Sequence, residues 1–272
     1  MDEITAEYSV AEVASTAELR VIPKVTVACK TDLGRVRENN EDKFEYFMPE
    51  DCGTLANRGL VFVVCDGMGG HAAGQIASEI SCKTFIDVYL HHPATEISAA
   101  LKGAVIAANR FVLDVARTVS ARAGMGTTLT GLAIVQDRAY VVQVGDSRAY
   151  RLRNGELTQL MEDHTWVEDA VRQGISREAA EAHPYRHVLT RAVGTEDDVQ
   201  VDVFEYDVAE GDTFLLCSDG LLNHVSDEVI AEHLKNFNPA EATWKLVGRA
   251  LMEGGSDNCT VMVVRLDALC PV

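Results

Sequence analysis

Three short apolar runs of this chain each border an aspartate, and their arrangement limits the fold more than any other feature. Each run is rich in valine and too short for a helix, which predicts a buried strand with an acid where the chain leaves the core. A carboxylate is costly to bury unless it is paired or binds a metal, and hard divalent cations prefer oxygen ligands. The sequence therefore predicts a divalent-cation site at strand ends. The runs and their acids are residues 61–65 before Asp66, 214–217 before Asp219, and 259–264 after Asp257.

A glycine follows each of the first two acids. Because glycine has no side chain, the carbonyl of Gly67 can approach a cation closely. Either Asp-Gly pair is also an ordinary turn between a strand and a helix, and Asp257-Asn258 taken alone favours a turn or a cap. The repetition of Asp-Gly after two buried strands favours the cation site.

Composition excludes several classes of protein. The 272 residues are 47% apolar, enough for one large domain or two small ones with a sizeable core. The formal net charge of -18 argues against a nucleic-acid partner or an anionic membrane surface, since both require a basic patch. No apolar stretch approaches about 20 residues, so no membrane span is expected, and the acidic start lacks the pattern of a secretory signal.

The cysteines predict a reducing compartment. Their number, seven, is odd, and no Cys-x-x-Cys pair occurs, so we expect reduced thiols, no structural zinc and a cytoplasmic location. Cys65 and Cys217 lie inside apolar runs, where a free cysteine behaves as a small hydrophobic residue. No Cys-x5-Arg phosphate loop is present, which argues against a cysteine nucleophile.

Short connections in the middle of the chain predict antiparallel strands. Residues 136–138, residues 145–147 and the Asn-Gly pair at 154–155 separate short apolar runs, and Asn-Gly is a strong hairpin signal. Parallel strands need a long crossover, so a doubly wound parallel sheet is excluded. Strand groups separated by helix pairs predict an α+β fold, an antiparallel β-sandwich flanked by pairs of α-helices in four α-β-β-α layers. The expected helices are residues 73–90, 96–117 with Thr95 as N-cap, 227–236 and 240–253.

The domain organisation follows from changes in composition. Residues 1–24 are acidic and polar and predict an N-terminal extension, whereas residues 25–268 predict one folded domain. Within it, residues 163–184 carry few large apolar side chains and predict short helices around Gly174. This segment is therefore expected to form a small surface flap.

A charged segment at residues 34–42 contains Arg37, Glu41 and Asp42. The planar fork of an arginine binds a phosphate through two hydrogen bonds, so beside metal-binding carboxylates Arg37 could hold a phosphoryl group. By itself the segment is more typical of a solvated charged turn with local ion pairs.

Taken together, seven motifs in order resemble the PPM/PP2C family of metal-dependent protein serine/threonine phosphatases. The similarity is greatest to the bacterial branch that opposes Hanks-type kinases, and it runs from about Val25 to Asp267. Each motif is weak alone, but seven in the right order are highly specific. The motifs are residues 37–42 (RENNED), 66–70 (DGMGG), 125–128 (MGTT), 145–148 (GDSR), 189–194 (LTRAVG), 217–220 (CSDG) and 257–258 (DN).

The resemblance implies a centre of two Mn²⁺ or Mg²⁺ ions. By position, Asp66 would bridge both ions and the Gly67 carbonyl would bind one of them. Asp219 and Asp257 would hold the other ion. Asp146, together with Asp219, matches a third and looser metal site of bacterial members.

The remaining roles are also implied by the resemblance. Arg37 would bind the substrate phosphate, Asp42 with Glu41 would act through metal-bound water, and Asn258 would support the ligands. The two cations would supply a bridging hydroxide that attacks the phosphorus directly, without a phosphoenzyme. The flap would influence the choice of substrate.

One departure concerns the proton for the leaving group. Many eukaryotic members carry a histidine where this chain has Met68, so that role is unfilled or taken by metal-bound water. His71 and His164 are weaker candidates, because lone histidines are more often structural or exposed.

Three functions remain open at this point. The first is an active phosphatase acting on phosphoserine and phosphothreonine proteins, with a cognate Ser/Thr kinase as partner. The second is a silent phosphopeptide-binding relative, which the presence of all the acids and Arg37 disfavours. The third is a hydrolase of small phosphoesters or nucleotides, because these groups recognise the phosphoryl more than its carrier.

Overall fold

Twelve strands and eight helices make up the computed structural model in the part that it describes, residues 17–70 and 72–272. The strands are β1 Val21–Asp32, β2 Lys43–Phe47, β3 Leu60–Cys65, β4 Gly67–Met68, β5 Gly126–Thr127, β6 Leu129–Val135, β7 Arg138–Val144, β8 Arg148–Arg153, β9 Glu156–Gln159, β10 Asp202–Asp207, β11 Thr213–Cys217 and β12 Cys259–Pro271. The helices are α1 Cys52–Arg58, α2 Ala72–His91, α3 Ile97–Thr118, α4 Trp166–Arg172, α5 Arg177–Glu181, α6 Asp219–Leu222, α7 Asp227–Asn236 and α8 Pro239–Met252.

Two five-stranded sheets form the centre of the molecule. The first sheet has the strand order β1-β12-β11-β8-β9 and the second has the order β10-β7-β6-β3-β2, while β4 and β5 pair separately. Every neighbouring pair is antiparallel. The first sheet carries the longest ladder, in which β1 pairs with β12 from Val21 opposite Pro271 to Asp32 opposite Cys259.

Three apolar layers hold these sheets and helices together. Between the sheets, Phe62 and Leu132 of the second sheet meet Phe214 and Met262 of the first, and all four are buried. Helices α2 and α3 cover the outer face of the second sheet, and α7 and α8 cover the first. The predicted α+β fold with four α-β-β-α layers is confirmed.

The long helices follow from apolar spacing and end signals. In α3, Leu101, Val105, Ala108 and Val112 recur every three or four residues and are fully buried. Helix α8 begins with a proline in its first turn, and the Asn238 side chain accepts a hydrogen bond from a backbone N–H of that turn. Among the described residues, no helix is both long enough and apolar enough to cross a membrane.

Three expectations about individual elements were wrong. The N-cap of α3 is Glu96, which makes no capping side-chain bond, rather than Thr95. Helices α1 and α6 were not predicted, because seven and four residues are too few to show a helical period. The first strand begins at Val21, inside the predicted extension 1–24, since the pairing with β12 extends it.

The fourth difference matters for the site. The short connection at residues 145–147 was expected to join two paired strands, but β7 lies in the second sheet and β8 in the first. The connection therefore crosses the edge of the sandwich. It places Asp146 where the two sheets meet.

The predicted flap contains α4 and α5. Its buried apolar side chains are Val167, Ala170 and Ala180, a small cluster of its own. The Thr165 hydroxyl accepts a hydrogen bond from the N–H of Glu168 and so caps α4. Around this cluster Trp166 stacks on His183 with a ring separation of 4.2 Å.

Candidate active site

A cleft of about 930 Å³ opens at the edge of the sandwich where the strand ends meet. All the residues predicted for the site line this cleft except Asp42 and Asn258, which lie directly behind it. The stretches that they come from are far apart in sequence. The lining residues that were predicted are Arg37, Glu41, Asp66, Gly67, Asp146, Asp219 and Asp257.

The backbone of Asp66 is fixed by two buried threonines. Its N–H donates to the Thr128 hydroxyl at 2.9 Å, and its carbonyl accepts from the Thr128 N–H and the Thr127 hydroxyl, both at 2.8 Å. These bonds hold the turn that follows β3. The carboxylate is thereby held at one position in the cleft.

Glycines are required where the loops of the site approach one another. A Cβ on Gly67 would lie 2.2 Å from the carbonyl oxygen of Gly74 and 2.7 Å from that of Glu41. A Cβ on Gly220 would lie 1.9 Å from the carbonyl oxygen of Asn258. Such distances are far inside van der Waals contact, so any other residue would push the acid-bearing loops apart.

Asp42 is buried, with 1% of its surface exposed, at the start of β2. The Ser218 hydroxyl donates to its Oδ2 at 2.7 Å, and in turn accepts from the N–H of Thr260 at 2.9 Å. The other oxygen, Oδ1, has no hydrogen-bond partner among the described residues. Burial raises the pKa of Asp42 to about 6, and repulsion by Asp219 adds to the effect.

The negative charges of these acids raise one another's pKa values. Burial and then the charges of Asp42, Asp219, Asp146 and Asp257 raise the pKa of Asp66 well above its usual value. Burial and repulsion by Asp219 raise the pKa of Asp146 to about 7. Burial and Asp257 raise the pKa of Asp219, whose side chain is within hydrogen-bond reach of Asp66. This concentration of negative charge attracts cations.

The loop that carries Arg37 is fixed by Asn258. The Asn258 amide accepts from the N–H of Glu41 at 2.8 Å and donates to the carbonyls of Leu33 and Asn39 at 2.9 and 3.0 Å. Arg37 reaches into the cleft, where its Nη2 donates to Oδ2 of Asp257 at 2.7 Å. Half of the Arg37 side chain remains exposed, so its other donors face the cleft.

Comparison with known proteins gives this geometry a family. The family model described as Protein phosphatase 2C matches residues 35–250, most of the chain. The chain belongs to the protein phosphatase 2C family. The resemblance predicted from the motifs is confirmed.

Relatives of this protein phosphatase 2C chain come from bacteria. It is 38% identical over 244 residues to the serine/threonine phosphatase stp of Listeria monocytogenes, covering 88% of this chain and 94% of the relative. The crystal structure of the Mycobacterium tuberculosis serine/threonine phosphatase PstP/Ppp matches with a TM-score of 0.79 and 38% identity, over 90% of this chain and 99% of that one. A structure of the catalytic domain of PstP in complex with two manganese ions matches at 36% identity and a TM-score of 0.76, over 90% and 99% of the two chains.

The donor set of this family member fits divalent cations. Carboxylate and carbonyl oxygens surround the cleft, the buried Asp42 Oδ1 has no partner, and Asp66 and Asp219 approach within hydrogen-bond reach although both are acids. Across residues 17–70 and 72–272, no three His, Cys, Asp or Glu side chains are arranged so that they could hold one ion. In the structure the Asp257 carboxylate is paired with Arg37.

Several residues of the cleft were not predicted as site residues. Thr190 and Arg191 belong to a recognised motif but received no role, whereas Arg186 and His187 follow the flap helices and carry no sequence signal. His224 lines the cleft after α6 and forms a hydrogen bond with Ser256. The lining also includes Met68, Gly69, Gly70, Thr128, Ala192, Thr195, Glu196 and Asn223.

The histidines and cysteines singled out earlier are placed differently. His71 lies outside the described residues. His164 is buried behind the cleft rather than in its lining. Cys65 and Cys217 are completely buried, and burial raises the pKa of each thiol, so the interpretation of both as core residues is confirmed.

Proposed function

We propose that this chain is a protein serine/threonine phosphatase that depends on Mn²⁺ or Mg²⁺ and hydrolyses phosphoserine and phosphothreonine in proteins. One observation carries the proposal. Aspartates from distant stretches of chain meet an arginine in a single cleft, in a chain that belongs to the protein phosphatase 2C family. The named phosphatases of Listeria and Mycobacterium support it.

The residues divide the work by position. Asp66, the Gly67 carbonyl, Asp219 and Asp257 would hold two cations, and Asp146 would contribute to a third site. When bound, the cations acidify a water, which provides the nucleophile at neutral pH, and neutralise the phosphoryl oxygens.

Behind and beside these ligands, other residues orient the reactants. Asp42 behind the cleft and Glu41 in its lining would act on the site through water, and Asn258 keeps their loop in place. Arg37 binds the phosphoryl oxygens through its free donors and aligns the phosphorus for in-line attack. The fold thereby positions the substrate without a covalent enzyme intermediate.

The deciding experiment is release of phosphate from a phosphothreonine peptide. Release should require Mn²⁺ or Mg²⁺, stop on addition of a chelator, and resume when excess metal is added. Absence of release under every metal condition, with the peptide still bound, would favour the silent phosphopeptide-binding module.

A panel of substrates separates proteins from small phosphoesters. The open cleft with its protruding flap favours a chain-like substrate, so kcat/KM should be higher for phosphopeptides than for nucleotides. Equal or higher values for nucleotides would favour the small-molecule hydrolase.

Three further features belong to the same proposal. A cognate Ser/Thr kinase would supply the phosphoproteins, as the family resemblance implies. A cytoplasmic location agrees with seven free cysteines. Residues 1–24 would form an extension to a phosphatase domain at 25–268, with the flap at 163–184; residues 1–16 lie outside the described part.

A further inference from the structure

Asp163 and His164 are adjacent residues between β9 and α4. They form hydrogen bonds with the residues on both sides of Asp146. Both are buried, with 8% and 6% of their surfaces exposed. Neither lines the cleft, and the proposed function assigns no role to either. Their partners are Arg148 on one side of Asp146 and Gly145 on the other.

Asp163 holds the far side of the turn through a two-pronged ion pair. Nε of Arg148 donates to Oδ1 at 2.9 Å, and Nη2 donates to Oδ2 at 2.7 Å. The Asp163 side chain is 9% exposed and that of Arg148 is 27% exposed, so water screens the pair little. Such parallel bonds between a guanidinium and a carboxylate fix both distance and orientation.

The His164 ring holds the near side of the turn, and its contacts define its tautomer. Nδ1 accepts from the N–H of Gly145 at 3.1 Å, so this nitrogen carries no proton. Nε2 must then carry the proton, and it donates to Oδ2 of Asp202 at 3.0 Å, while Nη1 of Arg191 lies 3.2 Å from the same ring nitrogen. Arg191 donates to the same oxygen at 3.0 Å. The neutral imidazole therefore bridges the Asp146 turn to β10 and to Arg191 in the cleft wall.

The backbone of His164 also forms the root of the flap. Its N–H donates to the Gly145 carbonyl at 2.9 Å, and its carbonyl accepts from the N–H of Thr190 at 2.9 Å. Two residues further on, Trp166 donates its N–H to the carbonyl of Val188 at 2.9 Å. The segments that enter and leave the flap are thus hydrogen-bonded to each other at His164. A displacement of either segment would therefore move the turn that carries Asp146.

We propose that His164 is a positioning residue that fixes Asp146 relative to the root of the flap, so that the flap and the Asp146 turn change position together. The proposal rests on the proposed function only in giving Asp146 a role in the site. In this proposal His164 connects the Asp146 turn to the root of the flap and does not transfer a proton.

Two substitutions separate the contact of His164 with Gly145 from its contact with Asp202. In His164→Asn the amide oxygen takes the place of Nδ1 and can still accept from Gly145, but the shorter side chain no longer reaches Asp202. In His164→Gln the terminal amide takes the place of Nε2 and can still donate to Asp202, but the acceptor for Gly145 is lost. His164→Ala removes both ring contacts and keeps the backbone bonds.

Amide hydrogen exchange of the full chain tests this connection directly. It is followed on peptides of the turn (143–148) and of the flap root (186–192). His164→Ala should speed exchange in both peptides by about tenfold or more. His164→Asn should restore protection of the turn more than of the flap root, and His164→Gln should do the converse. His233→Asn is the matched control, because that ring contacts the Val229 carbonyl on α7 and Phe237 just after it, and it should change neither peptide.

The outcomes distinguish this proposal from the proposed function, because exchange is measured without turnover. Faster exchange in only one peptide of His164→Ala, or identical exchange patterns in His164→Asn and His164→Gln, would contradict the proposal. If His164→Ala does not fold, the comparison of Asn with Gln still decides. Steady-state kinetics give a second readout. His164→Gln, with a loosened turn, should lower kcat for a phosphopeptide by a larger factor than it changes KM. His164→Asn should change KM by a larger factor than kcat.

Discussion

The floor of the cleft and the flap beside it are built in opposite ways. On the floor, each acid follows or precedes a buried strand, and its backbone is fixed by buried partners such as Thr127 and Thr128 at Asp66. The flap has two short helices, three buried apolar side chains and ion pairs at the surface, among them Arg177 with Glu168 and Arg172 with Glu162. Exposed ion pairs of this kind add little stability.

The difference teaches where rigidity is needed. Repelling carboxylates remain close together only when the backbone beneath them cannot yield, and the sandwich supplies that backbone. A segment with so small a core opens locally at a low free energy, which suits a surface that must admit different protein substrates. Four predictions test this contrast, from the largest expected effect to the smallest.

Asp66→Asn should lower kcat on a phosphothreonine peptide with Mn²⁺ by about 10²–10³-fold, since a charge that organises the transition state is lost. With a chelator present, the same change should raise the free energy of unfolding, because one of several mutually repelling buried acids becomes neutral. Asp87→Asn, in an exposed position on α2, is the control and should change neither quantity. If Asp66→Asn retained more than a tenth of the wild-type kcat, the proposed role of the Asp66 charge would be contradicted.

Arg37→Ala should raise KM for a phosphopeptide roughly 10- to 150-fold, the equivalent of about 1.5–3 kcal/mol for a hydrogen bond to a charged group. Arg35→Ala, two residues away and exposed outside the cleft, should leave KM unchanged. Parallel kinetics of both variants with a small aryl phosphate complete the test. If KM and kcat of Arg37→Ala match the wild type on both substrates, another group binds the phosphate.

Trp166→Ala should loosen the flap and leave the floor intact. Loss of the stacking on His183 should speed trypsin cleavage after Arg172, Arg177 and Arg186 about 2- to 10-fold, because the local opening free energy falls. The chain's other tryptophan, Trp244 on α8, is 67% exposed, and its replacement by alanine is the control. A comparable fall of the global Tm in Trp166→Ala would show that the flap and the sandwich unfold together.

A pH effect on stability tests the junction between the two regions. Burial and then the charge of Arg191 lower the pKa of His164 from 6.5, although Asp202 and Asp163 oppose this shift. The unfolded chain therefore binds the proton more readily, and the histidine's contribution to stability is lost as the pH falls below 6.5. Denaturant unfolding between pH 7.5 and 5.5 should show a smaller decline in His164→Asn than in the wild type. Equal declines would mean that the ring does not resist protonation in the folded state.

Strands β3 and β11 were predictable because they are buried on both faces, which leaves continuous apolar runs such as residues 61–65. The acids at their ends were predictable for the same reason, since a polar residue after such a run marks where the chain leaves the core. The burial of Asp42 was not predictable, because its partner Ser218 lies just after β11 of the other sheet. Only the packing of the two sheets brings them together.

The connection at residues 145–147 shows a limit of pattern reasoning. An alternating apolar pattern on both sides of a short turn is the same whether the strands pair with each other or diverge into two sheets. In the structure the Gln143 amide donates to the carbonyls of Gly145 and Ser147 and so closes the turn, a contact that the apolar pattern does not show. The role of His164 was likewise hidden, because its partners at Gly145 and Asp202 are distant in sequence.

A turn that belongs to both sheets makes the position of Asp146 depend on their alignment. The sheets meet through apolar side chains such as Phe62 and Phe214, and contacts of this kind have no direction and resist sliding only through shape. A small slip of one sheet over the other would leave most of the interior filled yet carry this carboxylate sideways. With Asp146 as the proposed ligand, metal affinity at the rim would respond to sheet alignment, and substitutions deep in the interior would change it without touching the cleft.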